Sequence, residues 1–477
     1  MTGIFKLLAL VVSSGFFIGV AMAQVPSAAG SSVGPPSQVG SRSPNSSPST
    51  VGAAPATVQG AAVPAHADSN LTMEAAVVVA LRRNRDIIAA RLDLQEAEFD
   101  KVAAEMYPNP VLGYQVGNLV LGRGNLFNAQ TPPGAPVHPG VFSQTVHNVG
   151  ISEVIDIWAK RGHRIRAAEQ GLRYKKLLLE DAFREITYAV RSAFAGVLRK
   201  RSELEFSREV LDRYSETVRL SRSRFKAGEI SEAEFRKIEL EGLKYQNAVI
   251  DNELERDLAR QSLAALLGFG SIDELPDTLL AEDVGPLRRS VADLTRDALE
   301  NRPDIRAIVE GRRYATASLV SARREAYPDL TLGVTYMHSE FQVSGDNPNS
   351  LAIGASMPLP IFDRNQANIG RAEVGVQRSD NDSVRLALQI RHDVAEAVRR
   401  FQRAESMLAL FREGGMLERA ETSLRVAEKS YKAGAVSLLE FLESQRTYLE
   451  THDEYLHALY DHQQSAVDLI HALGKRP

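Results

Sequence analysis

The chain has no cysteine among its 477 residues. Neither a disulfide framework nor a lipid-modified cysteine is therefore available to it. After residue 20, no uninterrupted run of about 18 apolar residues occurs, so the sequence predicts no spanning helix in the mature chain. The net charge of −4 gives no basic field of the kind that nucleic-acid binding needs.

The sequence also lacks the patterns that carry enzymatic chemistry. It contains no glycine-rich phosphate loop, no nucleophile elbow and no cluster of metal ligands. His452, His457 and His462 could suggest a metal site, but steps of five residues place them about 140° apart around a helix. We therefore interpret them as solvated helix residues, and we predict no enzyme, no bound metal and no cofactor.

The first 70 residues are predicted to lie outside the fold. Residues 1–23 carry one lysine, an apolar run over residues 7–20 and a small-residue site before Gln24, which is typical of a secretory signal peptide. A retained membrane helix is disfavoured because the run is short. Residues 24–70 are rich in Ser, Pro, Gly and Ala, and such a composition predicts disorder because it buries too little apolar surface.

One short stretch occurs twice, at residues 225–235 and 431–441, with a constant offset of 206. A glycine in each copy suits the end of a helix, because glycine adopts the left-handed conformation without a Cβ penalty. A serine three positions later, followed by a glutamate, is typical of a helix start. These residues are Gly228, Ser231 and Glu234 in the first copy, and Gly434, Ser437 and Glu440 in the second. The pattern predicts two tight turns between antiparallel helices and an internal duplication.

The duplication extends over most of the chain. We predict a first repeat over residues 71–270, a connector over 271–291 and a second repeat over 292–477. Each repeat is predicted to contain one helix ending at a Tyr-Pro pair, two alternating strands, a long helix and a shorter return helix. The first helices are predicted over residues 71–106 and 294–326, and a loop over residues 122–140 separates the first two strands.

The long helix of the first repeat carries a coiled-coil pattern. Apolar residues recur every seven positions at Phe183, Val190, Val197, Leu204, Leu211, Val218 and Phe225. A helix from Trp158 to Lys226 would be about 100 Å long. In the second repeat the apolar heptad positions lie 204 residues after those of the first repeat up to Gly414-Gly415, and 206 residues after them beyond this pair. The second repeat thus has a two-residue insertion at the two glycines. The insertion predicts a bend or bulge that narrows the helical tube.

The predicted strands have large apolar residues on one face and glycine or small polar residues on the other. Each strand has about the length that crosses a bilayer when tilted, 9–11 residues. Four strands cannot close a barrel and an open edge cannot exist in lipid, so the chain is predicted to form a ring of three copies. The predicted fold is mainly α with membrane β, in which a long coiled-coil α-helical barrel adjoins a twelve-strand β-barrel shared by a homotrimer. The alternative is a trimeric coiled-coil surface protein without a lumen. A periplasmic adaptor is disfavoured because it would need a lipoyl-like β domain, of which the sequence shows no sign.

The doubled helix–hairpin–long-helix plan, the Tyr-Pro pairs and the repeated Tyr/Phe-Lys-Ala-Gly turns resemble the TolC-like outer-membrane factors. The stretches at residues 157–164 and 358–366 resemble the CzcC-type branch of that family, which exports heavy-metal cations. The resemblance implies an outer-membrane channel that extends into the periplasm. It also implies partners, namely a periplasmic adaptor and an inner-membrane RND-type pump. Export of drugs or other organic compounds, or type I secretion, is the alternative.

Two sets of site residues follow. The two turns are predicted to be the adaptor-docking tips, formed by Ala227, Gly228, Glu229, Ile230 and Ser231, and by Ala433, Gly434, Ala435, Val436 and Ser437. The resemblance places acidic residues at the closed periplasmic entrance, here Glu440 and Glu443, and we place Tyr431 there with them. The first repeat has Lys237 where the second has Glu443. Because Glu440 and Glu443 share one helix face, three chains would bring six carboxylates together at the axis. The alternative is that Glu440 serves only as the capping partner of Ser437.

Overall fold

The structural elements of the chain occur in the same order twice. In the computed structural model, residues 70–119, 145–276, 278–280, 289–340 and 347–474 are described, and they belong to one compact unit. The first round comprises β1 (Asn70–Thr72), α1 (Met73–Arg83), α2 (Arg85–Glu105), β2 (Val111–Gly117), β3 (Val146–Ile155), α3 (Lys160–Lys226) and α4 (Glu232–Leu267). The second comprises β4 (Thr278–Leu280), α5 (Val291–Asn301), α6 (Pro303–Glu325), β5 (Leu330–Ser339), β6 (Asn349–Ser356), α7 (Gln366–Gly414), α8 (Met416–Lys432) and α9 (Leu438–Leu473).

Several predicted segments lie outside this description. They are the signal peptide over residues 1–23, the segment over residues 24–70 except its last residue, and the loop over residues 122–140. Residue 70 itself begins β1. The mainly helical fold with four longer strands agrees with the fold class predicted from the sequence.

The long helices form as expected. The helix α3 continues without a break for 67 residues, which corresponds to about 100 Å at 1.5 Å per residue. The return helices α4 and α9 both have 36 residues. Both end at a glycine in the left-handed region, Gly268 with φ +72° and Gly474 with φ +66°.

The prediction of one continuous first helix in each repeat is wrong. The first helix is interrupted at Asn84 and the second at Arg302, and both residues are extended at φ −60° and ψ 133°. The Asn84 side chain accepts a hydrogen bond from Asp86 N (2.8 Å) and its Nδ2 donates to the carbonyl oxygen of Leu266 (2.9 Å). Each break thus brings a side chain to the carbonyl end of a return helix, where backbone oxygens lack intrahelical partners.

The second break has a matching contact. Arg302 Nη1 donates to the carbonyl oxygen of Ala472 (3.1 Å), the counterpart of Leu266 at the offset of 206. Pro303 follows at the first helical position, which suits proline because its missing N–H has no partner there. The breaks therefore serve tertiary contacts that helix periodicity does not reveal.

A second small sheet was not predicted. The strand β1 pairs in parallel with β4, with Leu71 opposite Leu279. The connector predicted over residues 271–291 therefore contains a strand that joins it to the start of the first repeat. The same connector also contains a 3-10 turn over Ile272–Glu274.

The heptad positions form the core only along part of α3. Val190, Val197 and Leu204 are buried, as are their counterparts Val394, Phe401 and Leu408 on α7. Nearer the turn, however, Phe225 is exposed, and burial moves to a neighbouring stripe of Val210, Tyr214, Thr217 and Ser221. A straight α-helix drifts by about 20° per heptad against a 3.5-residue repeat, which accounts for this change of face.

Candidate functional site

The four longer strands form one antiparallel sheet in the order β2-β3-β5-β6. Within the described residues, β2 and β6 each pair on one side only, so both edges of the sheet are open. The register aligns large apolar residues in rows across the strands. One row is Leu112, Ile151, Val334 and Ile353, and the next is Tyr114, Val149, Tyr336 and Leu351.

Apart from Val111, the residues of the next two rows are small or polar. These rows comprise Gly113, Gly150, Thr335 and Ala352, and also Val111, Ser152, Gly333 and Gly354. A Cβ at Gly150 would lie 2.6 Å from Thr335 Oγ1, so this close approach requires glycine. The alternation of large apolar residues with small or polar ones within each strand therefore continues from strand to strand across the sheet.

The apolar face of this sheet is uncovered in the single chain. Leu112 is 75 % exposed and Ile353 is 80 % exposed. Both lie on the edge strands, which pair on one side only, so the most exposed apolar positions of the sheet coincide with its open edges. Apolar exposure of this extent marks a surface that contacts lipid or protein.

Aromatic residues mark the end of the sheet nearest the long helices. Trp158 packs against Tyr327 with ring centroids 5.0 Å apart, and its Nε1 donates to the carbonyl oxygen of Pro328 (3.0 Å). The guanidinium of Arg161 lies 4.0 Å from the ring centroid of Tyr107. Both Tyr-Pro pairs thus contact the segments that enter α3, and amphipathic rings of this type suit a membrane boundary.

The two turns at the far end of the long helices have the same geometry. Gly228 and Gly434 both have φ +74°, and in each turn the next N–H bonds back to a carbonyl five residues earlier, Glu229 N to Arg224 O (2.9 Å) and Ala435 N to Ser430 O (2.8 Å). This is the Schellman arrangement. The hydroxyls of Ser231 and Ser437 then accept from Glu234 N (3.2 Å) and Glu440 N (3.3 Å) and cap the return helices.

The structure leaves most of these turn residues at the surface. The exposed ones are Ala227, Gly228, Glu229, Ser231, Ala433, Gly434, Ala435 and Ser437, whereas Ile230 and Val436 are half-buried. A Cβ added at Gly228 would meet no heavy atom within 4 Å, and one at Gly434 would lie 3.8 Å from Arg224 Nη2. The predicted docking tips are therefore accessible in the chain.

The two turns are held side by side by a small cluster. Tyr214, Ile238, Tyr431, Leu438 and Phe441 pack together there. Arg224 Nη1 donates to the carbonyl oxygen of Tyr431 (3.2 Å) and its guanidinium lies 5.5 Å from that ring centroid. The cluster explains why Tyr431, which we placed at the entrance from the sequence, is only 3 % exposed and is not available to line an opening in this structure.

The two predicted entrance glutamates differ from Tyr431. Glu440 and Glu443 are both exposed, one helical turn apart on α9. Glu443 Oε1 accepts from Arg446 Nη2 (2.7 Å), so one of the two carboxylates is paired within the helix. The predicted site did not include Arg446, although its spacing of three residues from Glu443 on a helix indicates such a pair.

The structure places an interruption at the predicted bend. Gly415 has φ +59° and separates α7 from α8. A non-glycine residue would be strained in that conformation. The inward curvature and the narrowing of a tube at this point stay predictions.

The three histidines of α9 occupy separate environments. His452 stacks on Phe206 with ring centroids 3.5 Å apart, and burial lowers its pKa. His457 contacts Arg199, and His462 lies against Phe401. Across the part of the chain that the structure describes, no three His, Cys, Asp or Glu side chains are grouped so that they could hold a metal ion.

Comparison with known proteins agrees with this architecture. The family model described as outer membrane efflux protein matches residues 76–269 and 294–475. The cobalt-zinc-cadmium resistance protein CzcC of Cupriavidus metallidurans is 25 % identical over 424 residues, which cover 86 % of this chain and 92 % of that protein. The probable outer membrane lipoprotein SilC of Salmonella typhimurium is 23 % identical over 413 residues, covering 83 % and 84 % of the two chains.

Solved structures show the same fold. A crystal structure of CusC superposes with a TM-score of 0.67 at 20 % identity, covering 84 % of this chain and 92 % of that one.

None of the helices in the described ranges is long and apolar enough to cross a membrane. With the family model matched over both halves, the chain belongs to the outer membrane efflux protein family, whose members are efflux channels of the outer membrane rather than enzymes.

Proposed function

We propose that this protein is the homotrimeric exit duct of a tripartite efflux system, joined through a periplasmic adaptor to an inner-membrane RND-type pump. The observation that carries this proposal is the four-stranded sheet with alternating faces and two open edges. An open edge is not stable in lipid, and about eight strands are the fewest that close a barrel. Three copies supply twelve strands, with the apolar rows toward lipid and the small rows toward a lumen.

The proposed cargo is a heavy-metal cation. The proposal rests on the similarity to the cobalt-zinc-cadmium resistance protein over most of both chains, and on the two exposed glutamates of α9. Three copies would bring six carboxylates to a narrow entrance, three of them paired with Arg446, and the net contribution of the Glu440 carboxylates would favour cations over anions there. Selection among metals is assigned to the pump.

Two measurements test this proposal separately. Purified protein in planar lipid bilayers is expected to give unitary conductance steps, and their absence would favour a coiled-coil stalk without a lumen. A deletion strain is expected to become sensitive to cobalt, zinc or cadmium salts and to regain resistance with the wild-type gene. Unchanged metal sensitivity together with new sensitivity to organic toxicants would contradict the metal cargo but not the channel.

The exposed turns are proposed as the surface that docks the adaptor. A tryptophan at Gly434 would both block this surface and strain the turn, because φ there is +74°. Ala435→Trp is the sharper test, since Ala435 is exposed and has no positive φ. We expect Ala435→Trp to abolish efflux with normal conductance in bilayers, and the control Asp212→Trp, on the exposed surface of α3 away from the turn, to leave efflux unchanged. Full efflux by Ala435→Trp would remove this turn from the docking surface.

A further inference from the structure

Two histidines face each other across the central strand pair of the four-stranded sheet. His147 on β3 is directly opposite His338 on β5, and both residues are half-buried. Directly opposed residues of antiparallel strands have Cβ atoms about 4.5–5.5 Å apart, so the two imidazoles lie on one face of the sheet within reach of a common ligand. Because β3 and β5 belong to different repeats, no pattern in the sequence reveals this pair.

The hydrogen bond of His338 determines which of its ring nitrogens carries the proton. His338 Nδ1 lies 2.8 Å from Asn349 Oδ1 on the neighbouring strand β6. The hydroxyl of Tyr336 donates to the same amide oxygen, which can only accept. His338 Nδ1 therefore carries the proton and donates it, and His338 Nε2 carries the lone pair. An imidazole that binds a metal ion through one nitrogen usually donates the proton of the other nitrogen in this way.

His147 has a similar arrangement on the other side of the pair. Its Nδ1 lies 2.8 Å from the hydroxyl of Tyr114 on β2, and the two rings are stacked with centroids 6.1 Å apart. A phenol hydroxyl can accept a hydrogen bond as well as donate one, so His147 can hold its proton at Nδ1 and present Nε2. The outer strands of the sheet thus engage both Nδ1 atoms, and the two Nε2 atoms are the nitrogens left for a shared ligand.

The charge beside the pair favours a cation. Glu340 is exposed, and its Oε1 lies 3.8 Å from His338 Nε2. The chain has no cysteine, so no thiolate competes with imidazole for a metal ion. Imidazole suits Zn²⁺, Cu²⁺ and Ni²⁺, whereas Mg²⁺ and Ca²⁺ take oxygen ligands. The donor atoms therefore match a divalent transition-metal ion.

We propose that His147 and His338 bind one divalent transition-metal ion, such as Zn²⁺ or Ni²⁺, through their Nε2 atoms. Water completes the coordination, and Glu340 contributes charge near the ion. The ion ties β3 to β5, the strand pair of this sheet that joins the two repeats. Binding is a property of the pair and does not require the proposed function. In the proposed channel, the pair lies at the end of the sheet remote from the long helices.

Titration calorimetry with zinc and nickel salts tests the pair on the full chain, purified in detergent without a histidine tag and treated with a chelator. We expect saturable binding of one ion per chain, none with Mg²⁺, and loss of this binding in His147→Gln and in His338→Gln. His392→Gln is the matched control, because the His392 side chain on α7 is 78 % exposed, and it should bind as the wild type does. The oligomer band on semi-native gels shows whether each variant assembles.

The hydrogen bond to Asn349 provides a second measurement that does not alter either imidazole. Asn349→Ala removes the acceptor that keeps the proton on His338 Nδ1, and it should weaken metal binding by about 10–100-fold. Asn349→Asp supplies a stronger acceptor and should tighten the binding. Equal affinity in these two variants would contradict the role assigned to His338 Nε2.

Four further results would overturn the proposal. Wild-type protein that shows no saturable binding has no such site, and binding that persists in both histidine variants places the ion elsewhere. Equal binding of Mg²⁺ would indicate carboxylate ligands. Zinc binding should be lost as the pH falls from about 7 to about 5, because a protonated imidazole has no lone pair, and binding that is independent of pH would exclude the imidazoles. None of these results bears on conductance or efflux, so failure here leaves the proposed channel intact.

Discussion

Substitution of Asn84 tests the idea that the break in the first helix serves a distant carbonyl. Asn84 is 5 % exposed, caps α2 through its oxygen and donates through its nitrogen to the carbonyl oxygen of Leu266. Loss of an N-cap costs about 1 kcal/mol. The carbonyl of Leu266, a half-buried residue, would also lose its donor, at a further cost of about 1–3 kcal/mol. Asn84→Ala is therefore expected to lower the free energy of unfolding by about 2–4 kcal/mol.

Asn84→Ser separates the two contributions. Serine keeps the capping oxygen but is too short to reach the carbonyl oxygen of Leu266. It should therefore lose only the second part, about 1–3 kcal/mol. The measurement is the thermal midpoint of helix loss, followed by circular dichroism at 222 nm on detergent-solubilised protein at a fixed scan rate.

The order of the midpoints decides the question. We expect wild type above Asn84→Ser and Asn84→Ser above Asn84→Ala. If Asn84→Ser matched wild type, the contact with Leu266 would contribute nothing and the break would be explained by capping alone. If Asn84→Ala also matched wild type, the whole account of the break would be wrong.

Three further predictions concern the end of the helices remote from the sheet. Burial raises the pKa of Tyr214 above its ordinary value near 10, so the free energy of unfolding should fall as the pH rises above about 10. Because the Tyr214 hydroxyl has no hydrogen-bond partner within the described residues, Tyr214→Phe should be neutral or stabilising by up to about 1 kcal/mol. Melting followed as a function of pH should show a smaller loss of stability at alkaline pH in this variant than in the wild type. Replacing Glu440 and Glu443 together by glutamine should keep the Ser437 cap but lower the cation selectivity, seen as a shifted reversal potential in salt gradients, and weaken the block by divalent cations. An unchanged reversal potential and an unchanged block would leave Glu440 only its capping role. Gly415→Ala should lower the free energy of unfolding by about 1 kcal/mol, and with it the thermal midpoint, because φ at Gly415 is +59°. The same change at Gly414, inside α7, should be neutral or stabilising. Equal midpoints for the two variants would refute the assignment of strain to Gly415.

The local geometry of the turns could be predicted from the sequence. A glycine at C′ and a serine at N-cap act through atoms within a few residues, so the φ values of Gly228 and Gly434 and the bonds of Ser231 and Ser437 follow from the two matching stretches alone. The alternation of the strands is equally local, because successive side chains point to opposite faces whatever the partner strand is. The order of the strands and the alignment of their apolar rows required the structure.

What the tertiary structure decided involves groups that are distant in sequence. The breaks at Asn84 and Arg302 depend on carbonyl groups 182 and 170 residues away, and no helical periodicity contains that information. The burial of Tyr431 depends on Arg224 and Tyr214 of the other repeat, so its place beside the entrance glutamates in sequence did not predict its exposure. The change of buried stripe along α3 has the same origin. Sequence periodicity determines that a helix has an apolar side, but the drift of a real helix against the heptad, and the position of the neighbouring helices, decide which residues along that side are covered.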